Sequence, residues 1–149
     1  MEKFRPQIEG RDLILYDGVC ALCNGVVHYL LKHDPQGRFR FIPQETALAQ
    51  QLLALKPGTP QQEKEGVILI ATALTPTQHI YRRSDAVAHA LTLLGGPSTI
   101  LGRLTRLIPR PLREFGYGLI ARFRYRLFGR YPTCPIPTPD QRSRILGLP

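Results

Sequence analysis

The sequence predicts an α/β fold: a mixed four-stranded sheet with helices packed on it and a helical extension at the C-terminal end. Two observations carry that expectation. Short, almost wholly apolar runs at 13–16 and 66–72 have the length and composition of strands buried on both faces. Between and after them, apolar residues recur at spacings of three and four, the period of a helix that buries one side.

The first strand runs from Asp12 to Asp17 through Leu13, Ile14, Leu15 and Tyr16. From Cys20 to His33, Leu22, Val26, Tyr29 and Leu30 mark an amphipathic helix. Asp34-Pro35-Gln36-Gly37 stops it, because proline disfavours a helical residue before it and glycine supplies the turn. Arg38 to Ile42 alternates basic and apolar side chains, as a strand with unequal faces does, and Pro43 breaks it. Thr46 to Leu55 follows as a helix with Leu48, Leu52 and Leu55 on one side, and 56–64, with Pro57, Gly58 and Pro60, is a loop. Gly66–Thr72 and His79–Arg83 pair as a hairpin around Thr75-Pro76-Thr77-Gln78. Ser84 offers an N-cap and Asp85 an acidic first turn for a helix through Leu94, closed by Gly95-Gly96-Pro97.

The order is therefore β-α-β-α-β-β-α, with helical crossings making the first two strands parallel and the hairpin adding an antiparallel pair to the same sheet. That is the element order of a thioredoxin-like domain, expected over 1–96. The remainder, 97–149, reads as a basic helical extension and Pro-rich tail packed on the same domain. Its helices are expected at Ser98–Ile108, with apolar positions 100, 101, 104 and 107, and at Pro111–Phe128, with Leu112, Phe115, Leu119, Phe123 and Leu127. Tyr117, Phe123, Tyr125 and Phe128, at helical spacing, read as core. The tail beyond Pro132, with Pro135, Pro137 and Pro139, is expected to run extended over the surface.

With 149 residues, 43% hydrophobic and 21% charged, the chain can bury a core without disulfide staples and is not globally disordered. Its longest strongly apolar run, Val67 to Leu74, is far short of the roughly 20 residues a membrane-spanning helix needs. The N-terminus mixes both charge signs and lacks an apolar signal segment, so a reducing cytoplasm is expected. Three cysteines there argue against a disulfide framework and for redox or metal chemistry.

Chemistry concentrates in Tyr16-Asp17-Gly18-Val19-Cys20-Ala21-Leu22-Cys23. A thiol attacks as its thiolate, and a helix N-terminus stabilises negative sulfur through free N–H groups and the helix dipole. Cys20 is thus the candidate nucleophile, and Cys23, one turn on, the resolving thiol. Asp17 is placed to accept or return a proton, or to hydrogen-bond the turn, and Gly18 to supply backbone freedom. Zinc is the rival chemistry, with Cys20, Cys23, Cys134 and His28 or His33 as its ligands. No second Cys-x-x-Cys and no close His pair supports it, and no metal or cofactor is expected. Haem attachment is excluded by Asn24, which stands where a histidine would be needed. His28 and His33 themselves read as structural.

Asp17-Gly18-Val19-Cys20-Ala21-Leu22-Cys23-Asn24, with Asp34 to Phe41, Tyr81 to Ala86, and Arg124 to Arg130 followed by Cys134, resembles the DCC thiol-disulfide oxidoreductase family. That family is named for an aspartate and two cysteines, matched by Asp17, Cys20 and Cys23. The resemblance implies a thioredoxin-like, often bacterial protein that exchanges disulfides with a protein or small-molecule partner. One departure is visible. Thioredoxins carry a cis-proline before the third core strand, where Glu65-Gly66 stands here, leaving Pro43 and Pro60 as candidates only if their loops fold back.

The net charge of +9 is uneven: ten arginines against Glu114 and Asp140 lie beyond Gly96. Arg103, Arg106, Arg110 and Arg113, continued by Arg122, Arg124, Arg126 and Arg130, are expected on a solvated helix face above an apolar stripe. An anionic membrane surface is their candidate partner. No nucleic-acid module accompanies them, so nucleic acid is not expected, and the chain is expected to be a monomer. The rival from another class is a non-catalytic basic interaction module on the same fold, for an anionic membrane surface or an acidic partner.

Overall fold

Four short strands pair into one sheet of order β2-β1-β3-β4 in a computed structural model that describes residues 2–54 and 66–148. They are β1 (Asp12–Tyr16), β2 (Phe39–Pro43), β3 (Ile68–Ala71) and β4 (His79–Arg82). β1 lies parallel to β2, with Asp12 opposite Phe39 and Tyr16 opposite Pro43, and antiparallel to β3, with Leu13 opposite Ile70. β3 and β4 form the expected antiparallel hairpin. All five residues of β1 are buried, as a central strand covered on both faces requires.

Because side chains alternate across a strand, β1 divides the core in two. Ile14 and Tyr16 pack with Cys20, Cys23, Val27 and Leu30 of the first long helix, α2 (Ala21–His33). Leu13 and Leu15 pack on the other face with Leu48 and Leu52 of α3 (Ala47–Ala54) and with Ile8 of a short N-terminal helix, α1 (Arg5–Ile8). The expected stripe on α2 is shifted by one residue. Its buried face is Cys23, Asn24, Val27 and Leu30, while Leu22 and Val26 are half-buried and Tyr29 is exposed, so the inner side is the side that carries Cys23. The loop expected at 56–64 lies outside the described residues.

The helix after the hairpin, α4 (Arg83–Leu94), starts one residue before the expected cap. Arg82 holds the N-cap position without a side-chain cap bond, and Ser84 and Asp85 are turned away to other partners. Two helices follow, α5 (Gly96–Leu107) and α6 (Arg110–Phe128). The tail is not simply extended: a short helix, α7 (Pro139–Arg142), carries a capping box from Thr138 and Gln141. The chain then returns to the edge of β2, where the Phe41 N–H donates to Arg144 O and the Leu146 N–H to Phe41 O, both at 2.8 Å. The prolines of the tail do not interrupt this pairing, since its N–H donors are Phe41 and Leu146.

The architecture is thioredoxin-like: a mixed sheet flanked by helices, with Cys20 at the junction between the central strand and its first helix. Asp34 locks the far end of that helix. Its carboxylate accepts the N–H groups of Arg38 (3.1 Å) and Phe39 (3.0 Å) and pairs with Arg144 of the tail, all while 5% exposed. Asp34→Ala therefore orphans two N–H groups and a guanidinium, and urea unfolding is expected to show a loss of about 2–4 kcal/mol.

Candidate active site

The strand-to-helix junction is built by local hydrogen bonds. Cys20 is the N-cap of α2, and its Sγ accepts the N–H of Cys23 at 3.3 Å. The Asn24 amide donates to Gly18 O (2.7 Å) and Cys20 O (2.9 Å), tying the loop to the first turn of the helix. The Asp17 carboxylate accepts the Val19 N–H at 3.1 Å. Burial, and then the hydrogen bond and charge of Cys20, push the Cys23 thiol far up.

Asp17 is 1% exposed, and its cation comes from across the molecule. Arg124 of α6 donates to its carboxylate at 2.9 Å from 107 residues away, and the Tyr125 hydroxyl donates beside it. Burial alone would raise Asp17. The hydrogen bonds from Tyr125, Glu45 and Val19 and the charge of Arg124 outweigh it, holding the carboxyl below the ordinary range. Glu45 faces Asp17 and accepts the Gly18 N–H at 3.2 Å. Burial of its carboxyl, with the hydrogen bond and charge of Asp17, pushes Glu45 up, so of the two acids Glu45 is the weaker.

Gly18 does not need a positive φ; what it needs is room. A Cβ there would stand 2.8 Å from Cys134 Sγ and 3.0 Å from a Glu45 oxygen. The tail thus brings the third cysteine against the motif, where Cys134 Sγ also meets the buried Tyr16 hydroxyl. Burial and the charge of Glu45 raise the Cys134 thiol. The segment just before it lies across the motif as a strap. Ala21 N–H donates to Gly129 O (3.3 Å), Tyr131 N–H donates to Val19 O (2.8 Å), and Arg130 bridges Cys20. Under it, Cys20 is 0% exposed.

Two further features border the thiols. An apolar cleft of about 360 Å³ opens between Ala21, Leu22, Val26 and Tyr29 of α2 and Phe128 at the end of α6. At the start of the third strand, where thioredoxins carry their cis-proline, the Val67 N–H donates to the Tyr117 hydroxyl at 2.9 Å. No peptide bond among the described residues is cis; Pro43 ends β2 in trans, and Pro60 lies outside them.

The structure therefore brings together Asp17, Cys20 and Cys23, and adds Cys134. It does not bring His28 or His33, both of which are exposed, with His33 stacked on Tyr29. Among the described residues no three of Cys, His, Asp and Glu form a metal-holding group. Two arginines assigned to the solvated basic face, Arg113 and Arg124, are instead turned inward, because Asp85, Ser84 and Asp17 need their donors. Sequence reasoning missed Glu45, Tyr125 and the positioning role of Asn24. The signal for Asn24 was a polar residue on what proves to be the buried face of α2; Glu45 and Tyr125 carried none, being brought in from other elements.

Fold and site together define a thioredoxin-like protein with a Cys-x-x-Cys pair at a helix start and an acid beside it. The model of the DCC1-like thiol-disulfide oxidoreductase family matches residues 14–130, and the chain belongs to that family. It is 34% identical over 140 residues to the uncharacterized protein YuxK of Bacillus subtilis (strain 168), covering 94% of this chain and 96% of that one. It is 30% identical over 126 residues to the DCC family protein At1g52590, chloroplastic, of Arabidopsis thaliana, covering 85% of this chain and 70% of that one. No solved structure matches at a significant level.

Three outcomes are expected from this geometry. Arg124→Ala leaves a buried carboxylate without its cation and should lower the unfolding free energy at neutral pH by about 3–5 kcal/mol. Since Asp17 is held below its unfolded value, its contribution is full above about pH 4 and disappears as pH falls through the lower folded value; Asp17→Asn should remove that part of the acid slope in a urea–pH series. Tyr131→Pro deletes the strap's N–H to Val19 O, and alkylation of Cys20, followed by mass spectrometry, should accelerate about tenfold, the effect of losing one hydrogen bond of about 1.4 kcal/mol from the covered state.

Proposed function

We propose that the protein is a dithiol–disulfide oxidoreductase with Cys20 as nucleophile and Cys23 as resolving thiol. The observation that carries this is the Cys23 N–H on Cys20 Sγ at the N-cap of α2, which stabilises a thiolate on Cys20, while Cys23 is held as a thiol. Cys20 thiolate attacks one sulfur of a substrate disulfide, forming a mixed disulfide and expelling the other sulfur as a thiolate. Cys23 then loses its proton and attacks Cys20 Sγ, closing the Cys20–Cys23 disulfide and releasing the second substrate thiolate. Two electrons pass from the dithiol to the substrate, and the released thiolates take up two protons. The reverse sequence oxidises a substrate dithiol, with direction set by the relative potentials.

Asp17 assists at the second step. Its charge helps to hold up the Cys23 thiol, and the proton that Cys23 releases passes to solvent through the hydrogen-bonded Asp17–Glu45 pair, of which Glu45, pushed up, is the stronger base. The strap must lift for a substrate to reach Cys20, and the apolar cleft beside Leu22 and Phe128 offers a seat for apolar substrate side chains. Free thiols in this role suit a reducing cytoplasm. Among the described residues no helix is long and apolar enough to cross a membrane.

Cys20→Ser should reduce disulfide exchange with glutathione disulfide and with insulin to the uncatalysed rate. Cys23→Ser should accumulate a mixed disulfide on Cys20, visible as an added mass that dithiothreitol removes. Activity retained in Cys20→Ser would overturn Cys20 as the nucleophile, and wild-type protein working only at the uncatalysed rate would overturn the proposal and leave the non-catalytic basic module as the better account.

A further inference from the structure

The two helices after α4 present the side that a core-completing helix would bury. On α6, the residues turned inward are polar. Arg113 reaches Asp85 and Ser84, Glu114 reaches Arg83 and Ser84, Tyr117 receives the Val67 N–H, and Arg124 and Tyr125 serve Asp17. Helical geometry then forces the stripe through Leu112, Phe115, Leu119 and Leu127 to the outside, with Phe115 70% exposed. On α5 the inward residues are small. A Cβ on Gly102 would stand 2.8 Å from both Ala88 O and Thr92 N of α4, so the helices touch backbone to backbone there and Ile100, Leu101, Leu104 and Leu107 point away. Of the four aromatics expected to be core, Tyr117 and Tyr125 are turned inward, and Phe123 and Phe128 are exposed instead.

Cations flank this apolar surface. Arg103, Arg106, Arg110, Arg122, Arg126 and Arg130 are all exposed. Between Gly96 and Tyr131 the acid is Glu114, and it is turned inward to Arg83. At the junction of α5 and α6, the exposed Leu107 (79%), Ile108 and Leu112 are interleaved in sequence with Arg106, Arg110 and Arg113, which line a polar cavity of about 530 Å³. Arg82, Arg106, Arg110 and Arg113 line that cavity around a single carboxylate, Asp85.

An occupant must meet both halves of this surface. A second copy of the chain would bring arginine against arginine, and a nucleic acid would satisfy the cations but leave leucine and phenylalanine in water. An anionic bilayer meets both, because phosphate headgroups pair with arginine while apolar side chains enter the acyl boundary. We infer that the α5–α6 face docks on an anionic phospholipid membrane, lying in its plane, with Leu107, Ile108, Leu112 and Phe115 inserted and Arg103, Arg106 and Arg110 at headgroup level. Since Phe128 at the other end of α6 lines the cleft beside Leu22, docking holds the dithiol near the bilayer surface.

The test is flotation of the full-length protein with vesicles of phosphatidylcholine alone or with added phosphatidylglycerol. Binding is expected to the phosphatidylglycerol vesicles and not to phosphatidylcholine, and to weaken as salt rises. Leu107→Gln/Phe115→Gln keeps the charge and should lower partitioning at least about tenfold, and each of Arg103→Gln and Arg122→Gln about fivefold. Circular dichroism and exchange activity in vesicle-free solution should be unchanged, which separates this inference from the proposed activity. Absence of wild-type flotation, equal binding to both vesicle types, or undiminished binding by the Gln variants would overturn it. So would a concentration-dependent dimer in sedimentation velocity that Leu107→Gln/Phe115→Gln dissolves, which would assign the face to a second copy.

Discussion

The buried pair of Asp17 and Arg124 governs more of this structure than its two residues suggest. A carboxylate removed from water is costly unless its lone pairs and charge are met, and the local chain supplies only the Val19 N–H. The missing cation has to come from elsewhere, and α6 delivers it together with the Tyr125 hydroxyl. Once those two side chains face inward, the rest of the helix has no freedom of rotation. Arg113, Glu114 and Tyr117 fall on the same side and find Asp85, Ser84, Arg83 and Val67, and the leucines and phenylalanines are carried to the opposite side.

The same constraint encloses the chemistry. Because α6 ends above the motif, Gly129 and Tyr131 are positioned to pair with Ala21 and Val19, and the tail beyond them places Cys134 against Gly18. The thiols are therefore covered by backbone that makes strand-like hydrogen bonds across the motif. Two facing acids lie beside the pair, Asp17 held below and Glu45 pushed above the ordinary carboxylate range, so one buried cluster holds two carboxyl groups of unequal acidity. Tertiary contacts, and not the residues between the cysteines, set the electrostatics, since Ala21 and Leu22 contribute no charge.

Much of the frame was legible in the sequence. β1, β3 and α2 announced themselves by apolar runs and helical period, and the motif's position between the first strand and first helix followed from them. The orientation of α6 was not legible, because its apolar stripe is real and the period is correct. Periodicity reports that a helix has two unlike faces, and only the demand of a buried carboxylate decided which one turned inward. Ser84 and Asp85 mislead in a related way. Their types fit a helix start, yet tertiary partners on α6 outcompete the local cap.

What the sequence by itself determined is local: which segments are strand and helix, where the chain turns, and that two thiols and an acid sit at one junction, since each follows from spacing within about a dozen residues. Only the tertiary structure decided what surrounds that junction. Arg124, Tyr125, Glu45 and Cys134 arrive from 27 or more residues away, and their placement depends on the desolvation of Asp17 and on room at Gly18, quantities that exist only once the chain is folded.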